Sequence, residues 1–327
     1  MVISLAVVLT LQVGNYPTII GSDWLWYRNG IDRLVHGLPL YDPRMTSGAY
    51  DYLGAELHYQ FNQTPWLLVL VGPVATIPEP FAQSVWFVLI SSATIGSCWM
   101  LRPRDVSPPA LLALWTSLFV WPCFLMIVAW GNVHALVMLG VALWVCGWRR
   151  RSDLLAAAGL YLASLKVVPV VPLVMLAIKE RRWRPAVLAG MMIAVITAAV
   201  SALNGPETLF EFGLAILNQE VVRQRTNLSP VLSLMSAMPE SVARAVSALT
   251  ALVGAGTAIW LIRRPIVALA IAELAMCGVV TNLYVTWLAV PVLLAIAALE
   301  GTPVSRLLDR ALRPLNREEA AVSATSE

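Results

Sequence analysis

The amino-acid sequence predicts an all-α polytopic membrane protein of about ten transmembrane helices, with interfacial helices in two long loops on one side. Three observations predict it. Of 327 residues, 59% are apolar and 13% are charged, against roughly 45–50% and about 25% in soluble domains. Mean hydropathy is +0.74. Apolar runs recur along the chain with short basic clusters between them, which is the pattern of helices crossing a bilayer. The runs are continuous rather than alternating, which excludes a β-barrel, and open sheet edges are not tolerated in hydrocarbon.

Residues 2–20 have no basic segment ahead of the apolar run and no A-x-A cleavage pattern. They read as a first helix kept in the mature protein. Further spans are expected at 82–101, 109–128, 131–148, 153–165, 167–179, 184–203, 240–262, 265–280 and 284–300. Fifteen of the 22 Lys and Arg residues fall in Arg102/Arg104, Arg149 to Arg151, the Lys179 to Arg184 run, Arg263/Arg264 and the tail positions Arg306, Arg310, Arg313 and Arg317. The positive-inside rule puts these clusters and both termini in the cytoplasm, and the loops 21–81 and 204–239 outside. The chain then reads as one transmembrane domain over 1–300 and a partly disordered cytoplasmic tail over 301–327. Residues 64–78 are apolar too, but they contain Gly72 and Pro73 and lack a basic flank, so an interfacial or re-entrant segment is expected. Cys98, Cys123, Cys146 and Cys277 lie inside apolar runs without CxxC spacing and read as small buried hydrophobes. The net charge of +3 comes from loop residues and gives no nucleic-acid signal.

In the first loop, Trp24, Tyr27, Ile31, Leu34/Val35 and Leu38 recur at helical spacing, an amphipathic helix at the membrane surface. Ser22 or Asp23 is placed to cap it, and Gly37 with Pro39 to end it. Asp23 therefore has two readings, a capping residue or a general base at the membrane mouth. Tyr41, Asp42, Asp51, Glu56, His58, Gln60, Asn62 and Gln63 follow without DxD or HxxxH spacing, so no metal and no cofactor are expected. Asn132 and His134 interrupt two apolar runs, and Lys166 stands in 153–178 with only Asp153 and Tyr161 as other ionisable groups. An ionisable group at that depth is costly and reads as functional. A lysine offers a point charge to a monophosphate, or else snorkels to the interface. Glu273 is a second intramembrane charge. In the second loop Phe210, Leu214, Leu217 and Val221 form an apolar face, where Arg223 and Arg225 either clamp an anionic head group or form a solvated face.

The order of these pieces resembles the GT-C superfamily of integral-membrane glycosyltransferases, most closely the bacterial polyprenol-phosphate-mannose-dependent α-1,2-mannosyltransferases. The resemblance runs through D-x-x-x-Y (Asp23 to Tyr27), G-L-P-L-Y-D-P (Gly37 to Pro43), the aromatic and Pro segment Phe61 to Pro73, Trp86, G-N-V-H (Gly131 to His134), L-K-V-V-P (Leu165 to Pro169) and N-L-S (Asn227 to Ser229). It departs at Phe61 to Pro65 and at Thr281 to Trp287, where the family has an aromatic-Pro-Pro and Trp and His residues. The resemblance implies a bacterial plasma-membrane enzyme with a GT-C-like fold and a cavity opening outward. A sugar, β-linked to polyprenyl phosphate, would pass with inversion to a lipid or glycan acceptor. Asp23 would be the general base, and Lys166, Arg223 and Arg225 would hold the donor phosphate. Tyr27, Tyr41, Asp42, His58, Gln60, Asn132, His134, Asn227 and Tyr284 would contact substrate. Two other functions fit a polytopic chain: a transporter or lipid flippase, which needs repeats or paired intramembrane charges, and a lipid-linked polymer ligase.

Overall fold

A computed structural model of the chain describes residues 22–41, 63–79, 81–217, 230–279, 285–307 and 310–311. The expected helix at 2–20 lies outside the described residues, as do Asp42, His58, Gln60, Arg223, Arg225, Asn227 and Tyr284. Among the described residues every regular element is helical. In chain order these are α1 (Ser22–Val35), α2 (Leu68–Ala75), α3 (Phe81–Met100), α4 (Pro108–Val120) and α5 (Pro122–Trp130). Then come α6 (His134–Arg150), α7 (Asp153–Ala163), α8 (Val167–Lys179), α9 (Trp183–Asn204) and α10 (Thr208–Leu217). The last are α11 (Pro230–Met235), α12 (Glu240–Leu261), α13 (Pro265–Met276) and α14 (Ala289–Ala297).

By length and composition α3, α9 and α12 can cross a membrane, and the bent pair α4–α5 makes a fourth candidate span. That pair differs from the single helix expected at 109–128. The two halves meet at 60° because Pro122 has no N–H to donate, and Trp121 before it is driven to extended backbone (φ −67°, ψ 128°). The segment expected to be interfacial forms a tight turn, Pro65–Leu67, running into α2. Pro65–Ala75 rises about 16 Å, half of a hydrocarbon layer of ~30 Å.

The surface helix α1 stops where glycine allows it to. Gly37 adopts φ +62°, and the bonds Gly37 N to Leu34 O (3.3 Å) and Leu38 N to Arg33 O (2.9 Å) cover the last carbonyls. Its start is not as expected: Asp23 lies within the first helical turn, and its carboxylate is engaged by Asn132 of the turn between α5 and α6. The apolar face divides. Trp24 and Tyr27 are fully buried in protein, whereas Val35 and Leu38 are 74% and 49% exposed. In α10 the inward residue is Phe212, while Phe210 and Leu214 of the expected face point outward.

The basic clusters gather at one end of the bundle. Arg149 pairs with Glu300 at 3.0 Å and Arg182 with Asp153 at 3.1 Å. Lys179 donates to the carbonyls of Ile259 and Ile262, and Arg264 to those of Ala298 and Glu300. Asp105 accepts from Gly301 N at 2.7 Å and Ser305 Oγ at 3.0 Å, fastening the start of the tail to the loop after α3. The opposite end carries α1, α2, the α5–α6 turn and the α7–α8 break. Glu273, in the last turn of α13, is buried, and one of its carboxylate oxygens has no hydrogen-bond partner among the described residues.

The tightest packing is the α6–α7 hairpin. Arg151 turns it at φ +54°, and the Ser152 hydroxyl caps α7 by accepting from Leu155 N at 3.4 Å. Gly140, Gly147 and Gly159 let the two backbones touch, since a Cβ on Gly159 would lie 2.6 Å from the Gly140 carbonyl oxygen. Gly159→Val should therefore destabilise the protein by at least about 1–3 kcal/mol through overpacking, read as a fall in unfolding temperature in detergent. Gly190→Val on α9, with nothing within 4 Å of its added Cβ, should stay within about 0.5 kcal/mol of wild type.

Candidate active site

The site forms where α1 meets the turn between α5 and α6. Gly131 makes that turn at φ +65°, a conformation that costs glycine nothing. A Cβ there would lie 3.2 Å from the indole of Trp86. Trp86 Nε1 donates to the Gly131 carbonyl at 2.7 Å, and its ring packs against Trp24 at 5.4 Å and Tyr27 at 5.6 Å. One side chain thus joins α1, α3 and the turn. The Tyr27 hydroxyl accepts from the Val133 N–H at 3.0 Å. One helical turn earlier, the Asp23 carboxylate accepts from Asn132 Nδ2 at 2.5 Å.

The other end of the Asn132 amide fixes His134. Asn132 Oδ1 accepts from the His134 backbone N–H at 2.8 Å and lies 3.0 Å from His134 Nδ1. An amide oxygen only accepts, so Nδ1 carries the proton and Nε2 of the neutral ring keeps its lone pair. His134 is only 2% exposed, and Nε2 has no partner among the described residues. Trp287 braces the ring edge-on, with centroids 4.7 Å apart.

Lys166 lies near enough for its charge to act on Asp23. It occupies the break between α7 and α8 in extended backbone (φ −126°, ψ 121°). Its Nζ donates to Gln63 Oε1 at 2.6 Å, and the Tyr41 hydroxyl donates to the Gln63 carbonyl at 2.6 Å. The Tyr161 hydroxyl holds the Trp66 carbonyl at 3.0 Å. Phe212 of α10 packs on Tyr41 and Trp66, at 5.6 Å and 6.1 Å, so the second long loop contributes to this cluster. At the rim Glu79 accepts from Trp24 Nε1 at 2.8 Å and pairs with Arg28 at 2.7 Å.

Burial pushes the Asp23 carboxyl up from 3.8 to about 6, and the Lys166 charge and the Asn132 hydrogen bond both oppose that rise. The carboxylate is ionised at neutral pH yet far more basic than an exposed aspartate, which suits it to take a proton. Desolvation is the larger influence, and the lysine and the amide are what keep the charged form accessible.

Of the residues singled out from sequence, Asp23, Tyr27, Asn132 and His134 therefore share one cluster, and Lys166 and Tyr41 share another. Both tyrosine hydroxyls hold backbone rather than pointing freely into the site. Sequence reasoning missed Gln63 as the partner of Lys166, and the bracing rings Trp66 and Trp287. The polar pair Gln63–Thr64 directly before an apolar run was the available signal for Gln63. Among the described residues no three His, Cys, Asp or Glu side chains form a metal-ligating group.

A carboxylate of raised basicity, a cation near it and an imidazole lone pair without a partner make an arrangement suited to moving a proton beside an anion. Comparison with known proteins identifies the class. No curated protein and no solved structure matches the chain. The sequence model of glycosyltransferase family 87 matches residues 61–291. That range takes in Gln63, Asn132, His134 and Lys166, while Asp23 and α1 precede it. A match over so much of the length, together with the apolar helices, places the chain in glycosyltransferase family 87 as a membrane glycosyltransferase.

Proposed function

We propose that the chain transfers mannose from a β-linked polyprenyl-phosphate donor to a lipid or glycan acceptor, with inversion, at the extracytoplasmic face of a bacterial plasma membrane. The observation that carries this reading is the opposition of Asp23 and Lys166, each held by an amide side chain and each felt by the other's charge. Asp23 takes the proton of the acceptor hydroxyl as that oxygen bonds to the anomeric carbon. The bond from this carbon to the phosphate oxygen breaks with its electron pair, and polyprenyl phosphate departs against Lys166. Proton abstraction by a placed carboxylate contributes about 10²–10⁴ in rate, and a fixed cation at the leaving phosphate acts where water is excluded.

In this reading Arg223 and Arg225 add charge for the donor phosphate, and His134 Nε2 accepts from a sugar hydroxyl. Asp42, His58, Gln60, Asn227 and Tyr284 complete the substrate surface that Tyr27, Tyr41 and Asn132 begin. Orientation is supported by the gathering of Arg149, Arg182, Arg264 and the tail at the far end, which under the positive-inside rule is cytoplasmic together with both termini. It also supports the larger count of about ten crossings, with the short α7 and α8 helices turning back at Lys166. Family membership favours transfer over transport or flipping.

Donor preference, single-residue variants and pH dependence test the reading. With membrane extracts as acceptor, polyprenyl-phosphate-mannose should be consumed and polyprenyl-phosphate-arabinose should not. The reverse preference would replace the sugar, and inactivity with both would sink the donor class. Asp23→Asn should cut turnover at least about 100-fold while thermal stability holds or rises at pH 7.5. The sign follows from the pKa near 6, raised above that of an unfolded chain. Stability linked to Asp23 is complete when it is protonated and is lost as pH climbs through 6, so a neutral amide escapes that loss. For the same reason kcat/KM of wild type should rise between pH 5 and 7 with a midpoint near 6. Asn132→Leu, which removes a bond that lowers that pKa, should move the midpoint upward.

Lys166→Met keeps the apolar stem and removes the charge. It should lower kcat/KM for the donor with normal expression, and full activity in this variant would place the phosphate elsewhere.

A further inference from the structure

At the end of the bundle opposite the catalytic residues, a cavity of about 170 Å³ opens among Trp99, Arg102, Arg104, Arg149 and Arg150. That is more than about ten times the 10–15 Å³ one water needs. Its arginines come from the loop after α3 and the last turn of α6. Arginine near a helix C-terminus compensates unpaired carbonyls, and that accounts for part of the cluster. Arg149 is also neutralised by Glu300 at 3.0 Å. Arg102 is set in place twice, by a bond to the Trp99 carbonyl at 2.7 Å and by stacking on the Trp99 ring at 3.7 Å. Arg104 and Arg150 are exposed and have no ion pair among the described residues. The cavity therefore holds charge that the protein itself does not balance.

Its surroundings indicate what balances it. Trp99 is 53% exposed and packs against Trp115 of α4 at 5.7 Å, an amphipathic ring at the level where the apolar helix α3 ends. From there an apolar strip runs back along the helices through Ile95, Leu89 and Val88 of α3 and Leu112 of α4, all exposed. A cationic cavity at the head of an exposed apolar strip matches a molecule with one phosphate and acyl chains. We propose that this cavity is a binding site for the phosphate head group of an anionic phospholipid. Arg102, Arg104 and Arg150 contact the phosphate, and the acyl chains lie along α3 and α4. The site is separate from glycosyl transfer and does not depend on which sugar or acceptor is used.

The test is a titration of the detergent-purified full chain with phosphatidylglycerol, phosphatidylcholine or inorganic phosphate, following the unfolding temperature. Phosphatidylglycerol should raise it saturably, and the other two should not. Arg104→Gln with Arg150→Gln should weaken the apparent affinity about 25-fold, at roughly fivefold for each basic charge removed, with the unfolding temperature without lipid unchanged. Equal stabilisation by phosphatidylcholine would reduce the cavity to a lipid-contacting surface and overturn the proposal. Saturation by inorganic phosphate with no further gain from lipid would make it a free-anion site and overturn it as well. An unaltered phosphatidylglycerol response in the double variant would show that these charges do not bind it.

Discussion

The hydrogen bond from Asn132 to Asp23 spans 109 residues of chain, and the polar site at this end of the bundle is arranged around it. A carboxylate taken out of water must be given fixed dipoles or charge in return, or it protonates. Here the return is one amide and one ammonium. The amide is held by a glycine turn under Trp86 and the ammonium by the break between α7 and α8. Neither holder is itself reactive, and both depend on close backbone packing: the turn on α3, and the break on the α6–α7 hairpin with its three glycines. The precision of the site is inherited from contacts that contain no chemistry.

The two ends of the bundle solve different electrostatic problems. At the basic end, guanidinium groups face carbonyls and a few carboxylates, and most remain partly exposed. At the other end the inner charges among the described residues, Asp23 and Lys166, are each met by a neutral amide. Placing Gln63 rather than an acid on Lys166 gives the ammonium a hydrogen bond without an ion pair at that contact. An aspartate there would have neutralised it. Glu79 does pair fully, with Arg28 and Trp24, but at the rim, where it fastens α1 down.

Much of this was legible in the sequence, and the illegible part has identifiable causes. Helix positions follow from apolar runs because a bilayer enforces them over long stretches. Asn132, His134 and Lys166 stood out since polar groups among apolar ones are expensive and rarely incidental, while Asp23, in an amphipathic helix, had a capping and a base reading that spacing did not separate. Their pairing was not legible, because spacing along a chain carries no information about which turns come to lie together. The break at Pro122 could have been read from the proline, but hydropathy averaged over the run hid it. The inward Phe212 was missed for a related reason. A moment over α10 picks the more apolar face, while burial was decided by Tyr41 and Trp66, which reach it from the first loop.

The docking of α1 beneath Trp86 also bears on how the protein is made. Asp23 leaves the ribosome 109 residues ahead of Asn132, which at about 5–20 residues per second is roughly 5–20 s. For that interval the carboxylate lacks the Asn132 amide and the burial that raises its pKa in the folded chain. It acquires its affinity for protons only once later helices have been inserted and folded back onto it. The raised proton affinity of Asp23 is in this sense a property of the finished bundle, and a nascent or truncated chain carries the carboxylate without it.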